Sequence, residues 1–76
     1  MEKDYKYILG RNVKAERLRK DFTQEKFAEM IDMSVSYVSK LEQGLTSPTA
    51  IVLYKMALVL DIPMEEFMKG ISISQK

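Results

Sequence analysis

The sequence predicts an all-α domain of five short helices, and three observations carry that reading. Apolar residues recur three and four apart, as in Phe27, Ala28 and Ile31 or in Leu53, Met56, Ala57 and Leu60. Residues with N-cap chemistry, Thr23, Ser34 and Ser47, stand immediately before such segments. Stop signals follow them: Gly44, Gly70 and the break Asp61-Ile62-Pro63.

The first helix begins near Asp4 or Tyr7 and ends near Asp21. Its expected buried stripe is Ile8, Leu9, Val13 and Leu18, with Phe22 closing the corner. The second runs from about Gln24 to Ile31 behind the Thr23 cap. Lys26 stands where a capping box would have Glu or Gln, so this is a simple cap. Phe27, Ala28 and Ile31 share one face, and Glu25, Lys26 and Glu29 lie on the other. The third helix runs from Val35 to about Gln43 behind Ser34, and Gly44 supplies a left-handed stop. Only Val38 and Leu41 along its length look inward, so much of its surface faces outward. After the loop Leu45-Thr46-Ser47, Ser47 is the expected cap of a fourth helix. Pro48 fits its first position, where a missing N–H costs nothing, and the helix continues to about Leu60. Pro63 opens a last short helix to about Lys69. Residues 1–70 thus read as one domain and 71–76 as a tail, whose Ile-Ser-Ile-Ser alternation suits a short strand paired with a partner.

Composition narrows the chemistry. A chain of 76 residues supports one small core, burying roughly 60% of its unfolded surface. It has no histidine and no cysteine, which removes thiol chemistry, disulfides and the usual zinc sites. No cofactor or metal is expected. There is no Gly-rich phosphate loop, and the carboxylates Glu65 and Glu66 fall on an expected surface helix, so the enzyme reading fails on content. No stretch of 18 apolar residues is present, so a cytoplasmic protein without a membrane partner is the default. Net charge is only +1, yet the segment 11–20 holds Arg11, Lys14, Arg17, Arg19 and Lys20 against Glu16 alone. Asp61, Glu65 and Glu66 lie elsewhere. Such asymmetry fits either one face that meets phosphates or an ordinary solvated helix, and charge alone does not choose.

The segment 23–44, two capped helices joined by a very tight turn, is the most restrictive part of the chain. It resembles the phage repressor and Cro family of helix-turn-helix regulators, also called XRE-like, and the resemblance extends from residue 9 to about 67. The matching residues are Leu9-Gly10, Val13, Arg17, Thr23-Gln24, Ala28, Ser34, Val38-Ser39, Leu41-Glu42, Gly44, Pro48, Ala57, Leu60 and Phe67. Two positions depart from it, because the family usually has Gly where this chain has Asp21 and Asp32. Aspartate tolerates the left-handed region better than most residues.

The resemblance implies a compact five-helix, lambda-repressor-like DNA-binding domain whose helix-turn-helix is formed by helices 2 and 3. Helix 35–43 would enter the major groove of double-stranded DNA while the preceding helix crosses the backbone. Carried over position by position, Gln24 becomes a phosphate or base contact at a helix start. Ser34, Val35, Ser36, Ser39 and Lys40 become groove-facing, with Lys40 long enough to reach guanine and Val35 suited to a thymine methyl. Tyr37 is either a phosphate donor or a partly packed surface aromatic. Gly44 to Ser47, with Thr46 at its centre, resembles the family's second phosphate clamp. Arg17 and Glu42 are implied to form a structural ion pair, the competing role for Arg17 being a phosphate contact.

The fourth helix is apolar almost all round, with Lys55 its only charged interior residue. The stripe Leu53, Met56, Ala57 and Leu60 suffices for a core. A second stripe of Ile51, Val52, Leu58 and Val59, continued by Met64, Met68, Ile71 and Ile73, would be exposed on a monomer. A two-fold homodimer through these residues is expected, spacing two recognition helices about 34 Å apart on a pseudo-palindrome. The functional expectation is therefore a transcriptional regulator, a repressor or autoregulator. The alternative is an antitoxin-like or other protein-interaction module on the same fold, with a protein partner.

Overall fold

The computed structural model describes residues 4–71. Four α-helices follow one another: α1 (Tyr5–Arg19), α2 (Gln24–Met30), α3 (Val35–Glu42) and α4 (Ala50–Leu60), and a 3-10 helix occupies Met64–Met68. There is no strand among the described residues.

Each α-helix is started by a side-chain oxygen that accepts from an otherwise orphaned backbone N–H. Asp4 Oδ1 takes the amide of Lys6 at 3.1 Å, and Thr23 Oγ1 that of Lys26 at 3.0 Å. Ser34 Oγ takes the amide of Tyr37 at 3.0 Å, and Thr49 Oγ1 that of Val52 at 3.2 Å. The last of these corrects the expected start of the fourth helix at Ser47 and Pro48. Thr49 offers the same hydroxyl two residues later, and the helix begins at Ala50, which leaves Pro48 in the loop.

Helix ends are built alike. At Asp21, Asp32, Gly44 and Asp61 the backbone turns left-handed, with φ of 60°, 60°, 81° and 57°. The residue after each returns its N–H to a carbonyl five positions back: Phe22 to Arg17, Met33 to Ala28, Leu45 to Lys40 and Ile62 to Ala57. Three of the four turns therefore place aspartate where glycine carries no Cβ penalty. The following apolar residue folds onto the core at Phe22, Met33 and Ile62, whereas Leu45 remains 64% exposed.

The core comprises Leu9, Val13, Phe27, Ala28, Ile31, Val38, Leu41, Val52, Met56, Ala57, Leu60 and Phe67. Leu18 is not part of it. The residues three and four beyond Val13 are Glu16 and Arg17, so these charged side chains occupy the inner face and Leu18 is left 53% exposed on the outer one. Val52 is likewise buried, and Val59 is half-buried against the core, which removes both from the expected exposed stripe. Each lies within one helical turn of Met56, the fully buried centre of α4.

The expected fifth α-helix is the 3-10 turn, whose Glu66 amide bonds to the Pro63 carbonyl three residues back. Buried Phe67 anchors it, and the Asn12 side-chain amide donates to the Phe67 and Lys69 carbonyls at 2.7 and 2.8 Å. Ile71 is half-buried, and Ile73 with the rest of 72–76 lies outside the described residues.

Candidate nucleic-acid interface

The position of α3 is fixed by two close backbone approaches to α1. A Cβ on Gly10 would lie 2.3 Å from the Leu41 carbonyl oxygen, and one on Gly44 would lie 2.7 Å from Tyr7 Cα. Both sites accept only a hydrogen. α2 packs on α3, and Phe27, Ala28, Ile31, Val38 and Leu41 are all buried in the core these helices share.

Behind this contact lies a charged pair. Arg17 Nε is 2.6 Å from Glu42 Oε2 and Nη2 is 3.0 Å from Oε1, the two-pronged geometry that suits guanidinium and carboxylate. The third donor, Nη1, reaches the Phe22 carbonyl at 2.7 Å. Gln24 Nε2 adds a 3.0 Å bond to Glu42 Oε1. With side-chain exposures of 6% and 3%, the pair is shielded from water and joins α1, the start of α2 and the end of α3 in one network. No buried side-chain nitrogen or oxygen lacks a partner among the described residues.

The inner face of α3 is thus occupied by Val38, Leu41 and Glu42, with Tyr37 half-buried beside them, and the remaining side chains lie further out. Ser34, Ser36 and Lys40 are exposed, and Val35 is 42% exposed. Ser39 is half-buried, and its hydroxyl accepts from Gln43 Nε2 at 3.0 Å. Ser34 Oγ is used as a cap acceptor, which leaves the hydroxyl proton available to a ligand. Tyr37 sits half-buried against the core, and desolvation raises its pKa above 10.0, so it is a neutral phenol at physiological pH. Gln24 is half-buried with its amide nitrogen committed to Glu42, leaving the carbonyl oxygen and the second amide hydrogen. Thr46 is half-buried in the α3–α4 loop.

Two residues of this face escaped the sequence reading. Gln43 follows Ser39 by four positions and Lys40 by three, so the helical register brings all three together, a signal legible in the sequence. Leu45 carried no such signal, because its exposure depends on how the loop leaves α3.

Of the residues expected at a dimer contact, Ile51 and Leu58 are 65% and 61% exposed, and Met64 and Met68 are 36% and 39% exposed. Tyr54, 54% exposed between Ile51 and Leu58 on the same helical face, belongs with them and was not foreseen. Tyr54, Leu58 and Met64 also line an open groove with Ala57, Asp61, Ile62 and Pro63.

A capped helix, a tight left-handed turn and a second capped helix held at its back with polar side chains outward define a helix-turn-helix domain. Residues 13–67 match the helix-turn-helix family, and the chain belongs to that family of XRE-like DNA-binding transcriptional regulators. It is similar to the HTH-type transcriptional regulator YazB of Bacillus subtilis (strain 168), with 39% identity over 59 residues covering 78% of this chain and 86% of the relative. Similarity to the regulator y4dJ of Sinorhizobium fredii is 36% over 59 residues, covering 78% and 77%. Among solved structures, the restriction-modification controller protein C.AhdI from Aeromonas hydrophila superposes with a TM-score of 0.78 at 27% identity, covering 82% of this chain and 94% of that one. The clp gene regulator ClgR from Corynebacterium glutamicum shares the fold with a TM-score of 0.82 at 22% identity, covering 96% and 100%. No helix of the described residues is long and apolar enough to cross a membrane.

Proposed function

We propose that this protein is a sequence-specific repressor or autoregulator, acting in the cytoplasm as a homodimer on a pseudo-palindromic operator with α3 in the major groove. The observation that carries this reading is the division of α3. One face is locked to α1 by two glycine approaches and a buried ion pair that Gln24 of α2 joins, and the other carries Ser36, Lys40 and Gln43 exposed with Ser39 half-buried among them. A rigid helix with an outward polar face meets the requirement for reading base edges. Lys40 is its one long cationic donor and takes guanine, and Val35 takes a thymine methyl. Ser34 lies with them on the groove side, Tyr37 and Thr46 hold flanking phosphates, and Gln24 contacts a phosphate or a base. Short serines give little reach, so sequence-dependent DNA shape carries part of the specificity.

The dimer reading rests on Ile51, Tyr54 and Leu58, a solvent-facing apolar row on α4 with Met64 and Met68 beside it. Fluorescence anisotropy on a duplex from upstream of the gene, against a scrambled duplex, tests the whole. Binding tighter by a factor of about 10³ on the native duplex supports the reading, and equal weak binding to both turns it toward a protein partner. Lys40→Ala should relax preference at a single base pair; equal loss on every sequence would contradict base reading.

A further inference from the structure

The five basic residues of segment 11–20 do not share one fate. Arg17 is consumed by Glu42 and the Phe22 carbonyl, and Arg19 pairs with Glu16 at 3.0 Å. Lys20 is exposed at the end of α1. Arg11 and Lys14 are different, because they line one open depression together with Ala15, Leu18 and Glu42. Lys14 is exposed and has no hydrogen-bond or ion-pair partner among the described residues. Arg11 is set in place from below: its Nη1 donates to the Tyr7 hydroxyl at 2.8 Å, and its guanidinium carbon lies 5.6 Å from the centre of the Tyr7 ring. The remaining guanidinium N–H groups make no other contact there and are available as donors.

The charge of this depression is decided by Arg17. Glu42 at its floor would repel an anion if it stood alone, but the two-pronged bond from Arg17 neutralises it. What remains is the positive charge of Arg11 and Lys14. The same Glu42 carboxylate accepts from Gln24, so this rim and the start of α2 border one carboxylate. The depression thus presents a strip of two donors, Lys14 and Arg11, beside the carboxylate that also holds Gln24. Leu18, half-exposed on that rim, gives it an apolar edge suited to deoxyribose.

We propose that Arg11 and Lys14 bind DNA backbone phosphates, extending the contact along α1 beyond the helix-turn-helix. This rests on the DNA-binding reading above but not on base recognition, because phosphate contacts carry no sequence information.

The test is anisotropy of the full chain on both the native and the scrambled duplex over a salt series, with thermal unfolding of each variant as a folding control. Lys14→Ala and Arg11→Ala should each lower the slope of log K against log salt by about 0.9, so that affinity falls about threefold less between 50 and 200 mM salt. Lys14→Arg keeps the charge and should retain the slope. Arg19→Ala removes the same charge from α1, but one already paired with Glu16 and outside the depression, and should leave the slope unchanged. Equal slopes for wild type and Lys14→Ala overturn the strip, as does an Arg19→Ala change as large as that of Lys14→Ala. If the wild type binds neither duplex at low salt, the DNA-binding reading itself fails. If it binds both equally, only base recognition fails and the slopes still decide the strip.

Discussion

Removing Arg17 is the substitution whose consequence the structure defines most sharply. Arg17→Met keeps the length of the side chain and deletes three donors at once: Nε and Nη2 to Glu42, and Nη1 to the Phe22 carbonyl. Glu42, whose side chain is 3% exposed, is left with Gln24 on one oxygen. Stranding a buried charge in this way costs about 3–5 kcal/mol. At typical per-residue values the whole domain is stable by only about 4–11 kcal/mol, so roughly a quarter or more of its stability is at stake. Each kcal/mol corresponds to roughly 4–8 °C in a domain of this size, which gives a Tm lowered by about 12–40 °C. Urea unfolding followed by circular dichroism reads the loss directly, provided the slope with urea is unchanged. The double variant Arg17→Met with Glu42→Met supplies the decisive comparison. Replacing both charges by apolar side chains of similar volume is often neutral, so the double variant should recover to within about 1 kcal/mol of wild type. A loss below 1 kcal/mol in the single variant would refute the reasoning, and so would a double variant no more stable than the single.

Further outcomes follow from the same geometry. Gly10→Ala gains helix propensity of about 1 kcal/mol but drives a methyl into the Leu41 carbonyl, so net destabilisation of about 1–2 kcal/mol is expected in the same unfolding assay. Leu58→Glu places a charge in the exposed apolar row of α4 and should leave an 8.8 kDa species in sedimentation, while the wild type sediments at twice that mass. In an alkaline spectrophotometric titration, Tyr37 should ionise above the ordinary tyrosine value, and Tyr37→Phe should remove that late step. Because the folded pKa of Tyr37 is raised by desolvation, its contribution to stability is fully present below about pH 10 and is lost as pH rises through the folded value.

Signals confined to a few neighbouring residues proved legible. Thr23 and Ser34 cap the helices they precede, and Gly44 turns left-handed at the end of α3. The fourth helix shows the limit of such signals, since Ser47-Pro48 and Thr49 are rival starts with near-equal local merit. Hydrophobicity misled at Leu18, where an apolar residue sits outside while Glu16 and Arg17 sit inside. A charged residue can take an inner position only when a partner meets it there: Glu16 finds Arg19 three residues on, whereas Arg17 meets Glu42 from another helix, which no local pattern announces. The pairing of Arg17 with Glu42 enters the sequence reading by resemblance alone, for the same reason.

By itself, then, the sequence determined the helical class, the order of the elements and the tight turn between α2 and α3, because caps, left-handed stops and a three-to-four periodicity act within one or two turns of chain. Tertiary structure decided which polar groups are consumed and which stay free. The contacts responsible join residues 25 apart at Arg17 and Glu42 and 55 apart at Asn12 and Phe67. Whether Val52 faces a core or a solvent, and whether Lys14 has a partner, depends on what packs across from it.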